Sequence, residues 1–211
     1  MGRISHLQKW ESNRYLARNM NNFVTNQNSL QNNFLISMPQ LDDPSFNQTV
    51  VLICKHDESG AMGIVINRNT EHTLKDIFVQ LDIESTSPLY CEHPVLDGGP
   101  VYPELGLIVH TASDDIWESS LPISEDLVLT SSKDILESMA RGIGPEKTLM
   151  SLGYAGWGPG QLETEIQANA WLTTPVNTHI LFSGQVAEKW QSSARLIGVD
   201  IHQISQDVGH A

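Results

Sequence analysis

The chain has 211 residues, a formal net charge of −13 and 40% hydrophobic residues, proportions typical of one globular domain with a sizeable core. Every apolar stretch is shorter than the roughly 20 residues that span a bilayer, and the N-terminus lacks the apolar segment of a secretory signal. The two cysteines, Cys54 and Cys91, do not form a C-x-x-C pair. We therefore expect a cytoplasmic protein with free thiols and no membrane association.

The charge is distributed unevenly along the chain. Residues 1–28 contain four basic residues and one acidic residue, a charge of +3, which leaves −16 for the remainder. Nucleic-acid-binding domains carry a basic surface that neutralises phosphates, so this balance disfavours direct nucleic-acid binding by the folded part. The polar, asparagine-rich start predicts a flexible N-terminal extension over 1–28, followed by a single domain over 29–211.

The first dense structure is a predicted β-hairpin. Apolar runs predict strands over 49–55 and 62–68, and the intervening HDESGA is rich in turn-forming residues. A short helix is predicted over 73–81, where Thr73 and Asp76 have the spacing of a capping box.

The later elements alternate irregularly between the two types, which favours an α+β class over a regular βαβ fold. Strands are predicted over 94–101, 105–111, 126–130, 147–155 and 179–182. Helices are predicted over 131–142, after the glycine loop at 153–160, and over about 185–197, the last with Val186, Trp190, Ala194 and Ile197 facing inward.

Several long motifs resemble the YqgE/AlgH family of bacterial proteins. They are FLISMPQLDDPSF, VVLICKHDESGAMGIVINR, DGGPV, SLGYAGWGPGQLETEIQANAWL and the terminal GHA, in this order over residues 29–211. The resemblance implies a complex α+β fold in which helices surround a branched, mostly antiparallel sheet that includes a small closed barrel. It also implies a cytoplasmic protein. Some members of this largely uncharacterised family are described as transcriptional regulators.

The glycine loop has two interpretations. Glycine loops that open onto helices can bind phosphates through backbone N–H groups, but this loop matches neither G-x-x-x-x-G-K-[ST] nor G-x-G-x-x-G. No lysine or arginine occurs between residues 148 and 188, while Glu163 and Glu165 lie at the start of the following helix. A phosphate would meet negative charge there, so we expect the loop to be a structural corner and predict no nucleotide or other cofactor.

Two C-x-H pairs, Cys54 with His56 and Cys91 with His93, are the candidate metal ligands. Four such side chains could form a tetrahedral zinc site, but known zinc modules favour other spacings. Cys54 lies in an apolar run and is better interpreted as a small buried residue. We predict no metal.

Catalytic motifs are absent from the sequence, which has no G-x-S-x-G, H-E-x-x-H or recognisable cysteine–histidine signature. His110, with Asp114 and Asp115 close behind, could form an acid/base pair, but a capped strand end followed by a solvated acidic turn is the commoner explanation. Trp157 and Trp171 flank the glycine loop and its helix, where they could bind a ligand or peptide. Core packing is the favoured interpretation of both.

These observations favour a non-enzymatic regulatory or interaction protein that acts through an unknown protein partner. The alternative is a small-ligand-binding protein or enzyme with a pocket near the Gly98–Gly99 and Trp157 loops. The candidate binding residues are Gly98, Gly99, Trp157, Glu163 and Trp171.

Overall fold

A computed structural model describes residues 29–183 and 185–204. These residues form two compact units. The first unit contains 69–96 and 104–152, and the second contains 29–68, 97–103 and the described residues from 153 onward. The predicted extension over 1–28 and the terminal GHA motif lie outside the described residues, and the single domain stays a prediction.

The described residues contain ten strands and six short helices. The strands are β1 (Asn33–Ser37), β2 (Val50–Asp57), β3 (Gly60–Val65), β4 (Asn69–Thr73), β5 (Pro94–Asp97), β6 (Val101–Thr111), β7 (Ser120–Pro122), β8 (Leu127–Thr130), β9 (Thr148–Trp157) and β10 (Trp171–Pro175). The helices are α1 (Leu74–Gln80), α2 (Lys133–Ala140), α3 (Gln161–Gln167), α4 (Thr178–Phe182), α5 (Lys189–Arg195) and α6 (Ile201–Ile204), with a 3₁₀ turn at Val186–Glu188.

The second unit is built on antiparallel strands in the order β10-β1-β2-β3-β9. The predicted hairpin is confirmed, since β2 pairs with β3 from Val51–Val65 to Asp57–Gly60 with a bulge between Ile53 and Lys55. The strands are strongly apolar because their side chains enter a core. Leu35, Val51, Ile53, Ala61, Val65, Ala155, Trp157, Leu162 and Trp171 form this core.

The first unit has the strand order β7-β8-β6-β9-β5-β4. Helix α1 begins at the predicted capping box, because the Asp76 carboxylate accepts hydrogen bonds from the N–H and the hydroxyl of Thr73 at 2.7 and 2.9 Å. The core of this unit is formed by Leu74, Ile77, Phe78, Tyr90, Val95, Ile108, Trp117, Ile135, Leu136, Met139, Ala140 and Met150.

Strand β9 has residues in both units and pairs with β3, β5 and β6, so the sheet branches there as the family resemblance implies. The closed barrel is not found among the described strands. Within the part of the chain that the structure describes, β10 pairs only with β1 and β7 pairs only with β8, so the strand order is open at both ends. The architecture is a mixed α and β fold with an open, mostly antiparallel sheet.

Two further predictions near the C-terminus are wrong. Residues 179–182 belong to helix α4, because the Asn177 side chain accepts from the N–H groups of His179 and Ile180 and caps a helix there. Ile197, predicted to face inward, is 38% exposed, whereas Trp190 and Ala194 are buried as predicted. Among the described residues, no helix combines the length and the hydropathy needed to cross a membrane.

Candidate functional site

Segment 97–103 lies directly on strand β9 because two glycines leave room for the backbone. Gly99 has a φ of +138°, and a Cβ added there would lie 2.5 Å from the carbonyl carbon of Tyr154. Gly153 has a φ of +73°, and an added Cβ would lie 2.4 Å from the carbonyl oxygen of Gly99. Gly98 accepts a hydrogen bond from the N–H of Val65 at 2.9 Å. The predicted site residues Gly98 and Gly99 are therefore buried in a close backbone contact.

This contact presents two tyrosine rings side by side. Tyr102 and Tyr154 have ring centroids 6.1 Å apart and planes tilted by 37°. Tyr102 is 64% exposed, whereas Tyr154 is half-buried, and burial, with a further contribution from Tyr102, raises the pKa of its hydroxyl. Gly156 is exposed beside the pair, since a Cβ added there would lie 3.5 Å from the Tyr154 ring. We call Tyr102, Tyr154 and Gly156 the tyrosine face.

The backbone of Tyr102 is held in an unusual conformation. Its φ is 47°, in the left-handed region that residues with a large side chain rarely adopt. Strain of this kind costs on the order of 1–3 kcal/mol and is concentrated at functional positions. An exposed ring on a strained backbone therefore marks this residue as a candidate for binding.

Trp157 and Trp171, both predicted site residues, share one carboxylate as a hydrogen-bond acceptor. The indole N–H groups of Trp157 and Trp171 both donate to the same oxygen of Glu165, each at 2.9 Å, and the Gln161 amide donates to the other oxygen at 2.9 Å. The two indoles are 6% and 3% exposed, and Phe46 packs against both. Their burial agrees with the core interpretation, in which helix α3 is anchored to β9 and β10.

Glu163 extends from the same helix toward a histidine. Its carboxylate lies 2.8 Å from Nε2 of His56, and the N–H of Leu30 donates to Nδ1 of His56 at 2.9 Å. Nδ1 therefore accepts, and Nε2 carries the hydrogen that is donated to Glu163. A hydrogen bond from its own backbone N–H, supplemented by His56, lowers the pKa of Glu163. This exposed carboxylate therefore places a negative charge, and no cation, beside the glycine loop.

The described residues around Cys54 and Cys91 do not form a metal-binding group. Cys54 is fully buried, which raises the pKa of its thiol, and Cys91 is half-buried; both are free. The part of the chain that the structure describes contains no group of three or more histidine, cysteine, aspartate or glutamate side chains able to hold a metal ion.

His110 is a buried, hydrogen-bonded histidine within β6. Its Nε2 lies 2.9 Å from the Thr130 hydroxyl and its Nδ1 lies 2.9 Å from the Thr111 carbonyl oxygen. Burial lowers the pKa of this imidazole. Both ring nitrogens thus bond to β6 and β8 rather than to Asp114 or Asp115, which are exposed.

Three residues of these clusters were not identified from the sequence. The sequence indicates Glu165 only as a negative charge beside the loop, and the predictions from the sequence give no role to Tyr102 or Tyr154. Tyr154 lies inside the glycine motif and Tyr102 follows the Gly-Gly-Pro turn. Their position beside the glycines is the signal that could have identified them.

The architecture defines a mixed α and β protein with a branched antiparallel sheet and an aromatic surface beside a glycine-rich backbone contact. The chain belongs to the AlgH-like family, whose model matches residues 34–202. The resemblance inferred from its motifs is thereby confirmed.

Similar proteins occur in several bacteria. The UPF0301 protein of Thioalkalivibrio sulfidiphilus is 50% identical over 188 residues, which are 89% of this chain and all of that protein. A UPF0301 protein of Xanthomonas campestris is 47% identical over 184 residues, 86% of this chain and 96% of that protein.

Two solved structures are also similar. The solution structure of the AlgH protein from Pseudomonas aeruginosa matches with a TM-score of 0.71 at 41% identity, covering 89% of this chain and 98% of that chain. A crystal structure of a Corynebacterium diphtheriae protein shares the fold, with a TM-score of 0.63 at 16% identity over 82% of this chain and 90% of that chain.

Proposed function

We propose that this protein is a cytoplasmic, non-enzymatic interaction protein with a regulatory role, and that it binds a protein partner through the tyrosine face. The observation that carries the proposal is the exposed, strained Tyr102 packed beside Tyr154. Tyrosine is enriched at protein interfaces because its ring contributes a large contact area at little cost in conformational entropy. The ring of Tyr102 is 64% exposed, so burial of this side chain does not explain the strained conformation of its backbone.

The charge of the unit favours a partner segment with lysine or arginine. The described part of the second unit has nine acidic and four basic residues, a formal charge of −5, and one of the four basic residues, Lys189, is buried. Segment 97–103 contains Asp97 and no basic residue. A cation above a tyrosine ring gains roughly 0.5–1 kcal/mol at an exposed site. An acidic unit with an exposed tyrosine ring therefore suits a basic partner segment.

The same charge argues for regulation through a protein rather than through DNA. Residues 29–211 carry a charge of −16, which repels a phosphate backbone at physiological salt. Family members described as transcriptional regulators are consistent with this role if the protein acts on another regulator.

Affinity retention from a lysate of the encoding bacterium tests the proposal with three variants of the full chain. Tyr102→Ala removes the ring, and Ile143→Ala is the matched control because Ile143 is 63% exposed and belongs to the first unit. Tyr102→Gly removes the ring and also relieves the backbone strain, so the fold is expected to keep or gain stability.

We expect a protein that the wild type and Ile143→Ala retain and that both Tyr102 variants lose. The purified partner should bind with 1:1 stoichiometry, and its Kd should be at least tenfold higher for Tyr102→Gly than for the wild type. The affinity should decrease as the salt concentration increases. Equal affinity of that partner for the wild type and Tyr102→Gly would contradict the proposal. Because the glycine variant is expected to keep the fold, loss of binding in it would not be attributed to unfolding.

A further inference from the structure

The first unit contains a cavity of about 380 Å³ between helix α1 and the segment 83–91. One wall is apolar and is formed by Phe78, Val79, Ile83 and Pro88. Val79 is 75% exposed although it is a large aliphatic residue. The volume is within the range of cavities that hold small ligands in proteins.

The rest of the lining forms a polar wall that is held by hydrogen bonds. The Cys91 thiol lies 3.5 Å from the Ser85 hydroxyl and donates to the Ser87 carbonyl oxygen at 3.4 Å. The N–H groups of Thr86 and Ser87 both donate to the Ala140 carbonyl oxygen, at 3.0 and 3.1 Å. This wall is therefore formed before any ligand binds, so ordering it costs little on binding.

A single cation lines the cavity in a strongly acidic unit. The described part of the first unit has fourteen acidic and four basic residues, a formal charge of −10. Lys75 belongs to the lining, and no carboxylate among the described residues forms an ion pair with it. The neighbouring Asp76 carboxylate accepts hydrogen bonds from Thr73, and its charge interacts with Lys75 only as a smaller contribution without forming an ion pair. An ammonium group beside an apolar wall favours a ligand that combines a negative charge with an apolar body.

We propose that this cavity binds a small carboxylate with an apolar chain. The carboxylate pairs with the Lys75 ammonium group, and the chain lies against Phe78, Val79 and Ile83. This site is separate from the tyrosine face and does not depend on the proposed function.

The Cys91 thiol can report ligand binding in the cavity. Cys91 lines the cavity and is half-buried, while Cys54 is fully buried. Alkylation of the native full chain with iodoacetamide should therefore modify Cys91 alone, and a ligand in the cavity should slow the reaction. Each variant is compared with its own rate without ligand, so that an effect of the substitution on the thiol cancels.

The probes are butanoate, hexanoate and octanoate, with uncharged octanamide for comparison, and calorimetry gives the stoichiometry. We expect saturable protection by one octanoate per chain, with affinity increasing by about fourfold per methylene along the series. Octanamide should bind at least tenfold more weakly than octanoate. Lys75→Gln should remove this difference, whereas Lys133→Gln should keep it; Lys133 is a matched surface lysine of the same unit, 3.7 Å from Glu137.

Three results would overturn the proposal. The first is no protection of Cys91 by octanoate at millimolar concentration. The second is equal affinity for octanoate and octanamide in the wild type, which would show that the cavity does not select the charge. The third is an unchanged octanoate affinity in Lys75→Gln. Lys75 is exposed, so the variant is expected to fold, and circular dichroism of each variant verifies this.

Discussion

Three glycines of the loop motif provide a graded test of the backbone contact in the second unit. Gly153 and Gly160 have nearly the same φ, +73° and +71°, but a Cβ added at Gly153 would lie 2.4 Å from the Gly99 oxygen, whereas one added at Gly160 meets nothing within 4 Å. Gly156 is outside the left-handed region, and its nearest neighbour would be at 3.5 Å. Alanine at Gly153 therefore adds both backbone strain and a steric clash, and alanine at Gly160 adds backbone strain alone. Alanine at Gly156 adds neither.

The expected losses of unfolding free energy follow from these contacts. Gly160→Ala should cost about 1–2 kcal/mol, the cost of a left-handed conformation for a residue with a Cβ. Gly153→Ala should cost about 2–5 kcal/mol, because backbone displacement from overpacking adds roughly 1–3 kcal/mol. Gly156→Ala should be neutral or stabilise by up to about 1 kcal/mol, since alanine restricts the unfolded chain.

Urea unfolding at 25 °C, followed by tryptophan fluorescence, measures the three differences. The order Gly153→Ala, Gly160→Ala, Gly156→Ala from most to least destabilised is the expected result, with unchanged m-values. Equal destabilisation by Gly153→Ala and Gly160→Ala would refute the close contact between Gly153 and Gly99. A loss at Gly156→Ala as large as that at Gly160→Ala would refute the difference in backbone conformation.

Three other predictions follow from buried polar groups. Glu165→Leu should lower the unfolding free energy by about 2–5 kcal/mol, because two buried indole N–H groups lose their acceptor. Glu163→Gln, on the exposed side of the helix, should change the unfolding free energy by less than about 1 kcal/mol. Urea unfolding compares the two variants. Burial lowers the pKa of Lys189 from 10.5 to about 8, so the folded chain binds fewer protons than the unfolded chain between pH 8 and 10.5. The unfolding free energy of the wild type should therefore rise across this pH window relative to that of Lys189→Met, by roughly 3 kcal/mol in total. Parallel pH profiles of the unfolding free energy for the two proteins would contradict this prediction. A thiol reagent should modify Cys91 in the native protein and Cys54 only after unfolding. Mass spectrometry of the modified peptides measures the order, and modification of Cys54 before Cys91 would contradict the prediction.

Elements governed by local chemistry were predictable from the sequence. The hairpin of β2 and β3 depends on two apolar runs and a turn between them, and helix α1 depends on the Thr73–Asp76 capping box. Both signals lie within a few residues of the elements that they specify. The strand predicted at 179–182 fails because a histidine followed by three apolar residues is compatible with either structure, and the Asn177 cap decides between them.

The tyrosine face could not be predicted in the same way, because it depends on a contact between distant parts of the chain. Tyr102 and Tyr154 are brought together only because Gly99 and Gly153 allow two backbones to touch. The glycines are visible in the sequence, but which backbone each one contacts is not. The same reason explains Glu165, whose role depends on indoles contributed by two strands on either side of the helix.

The position of β1 in the strand order has a consequence for the newly made chain. Phe34 pairs with Leu52 on one side and with Thr174 on the other. At bacterial synthesis rates of about 5–20 residues per second, the ribosome needs roughly 6–24 s to pass from the first partner to the second. During that interval one edge of β1 lacks its partner strand, and Phe34 to Ile36, which are fully buried in the complete fold, lie in a strand with an open edge that can associate with other chains. A strand made later thus covers one made much earlier, and chains truncated before β10 should aggregate or be held by chaperones.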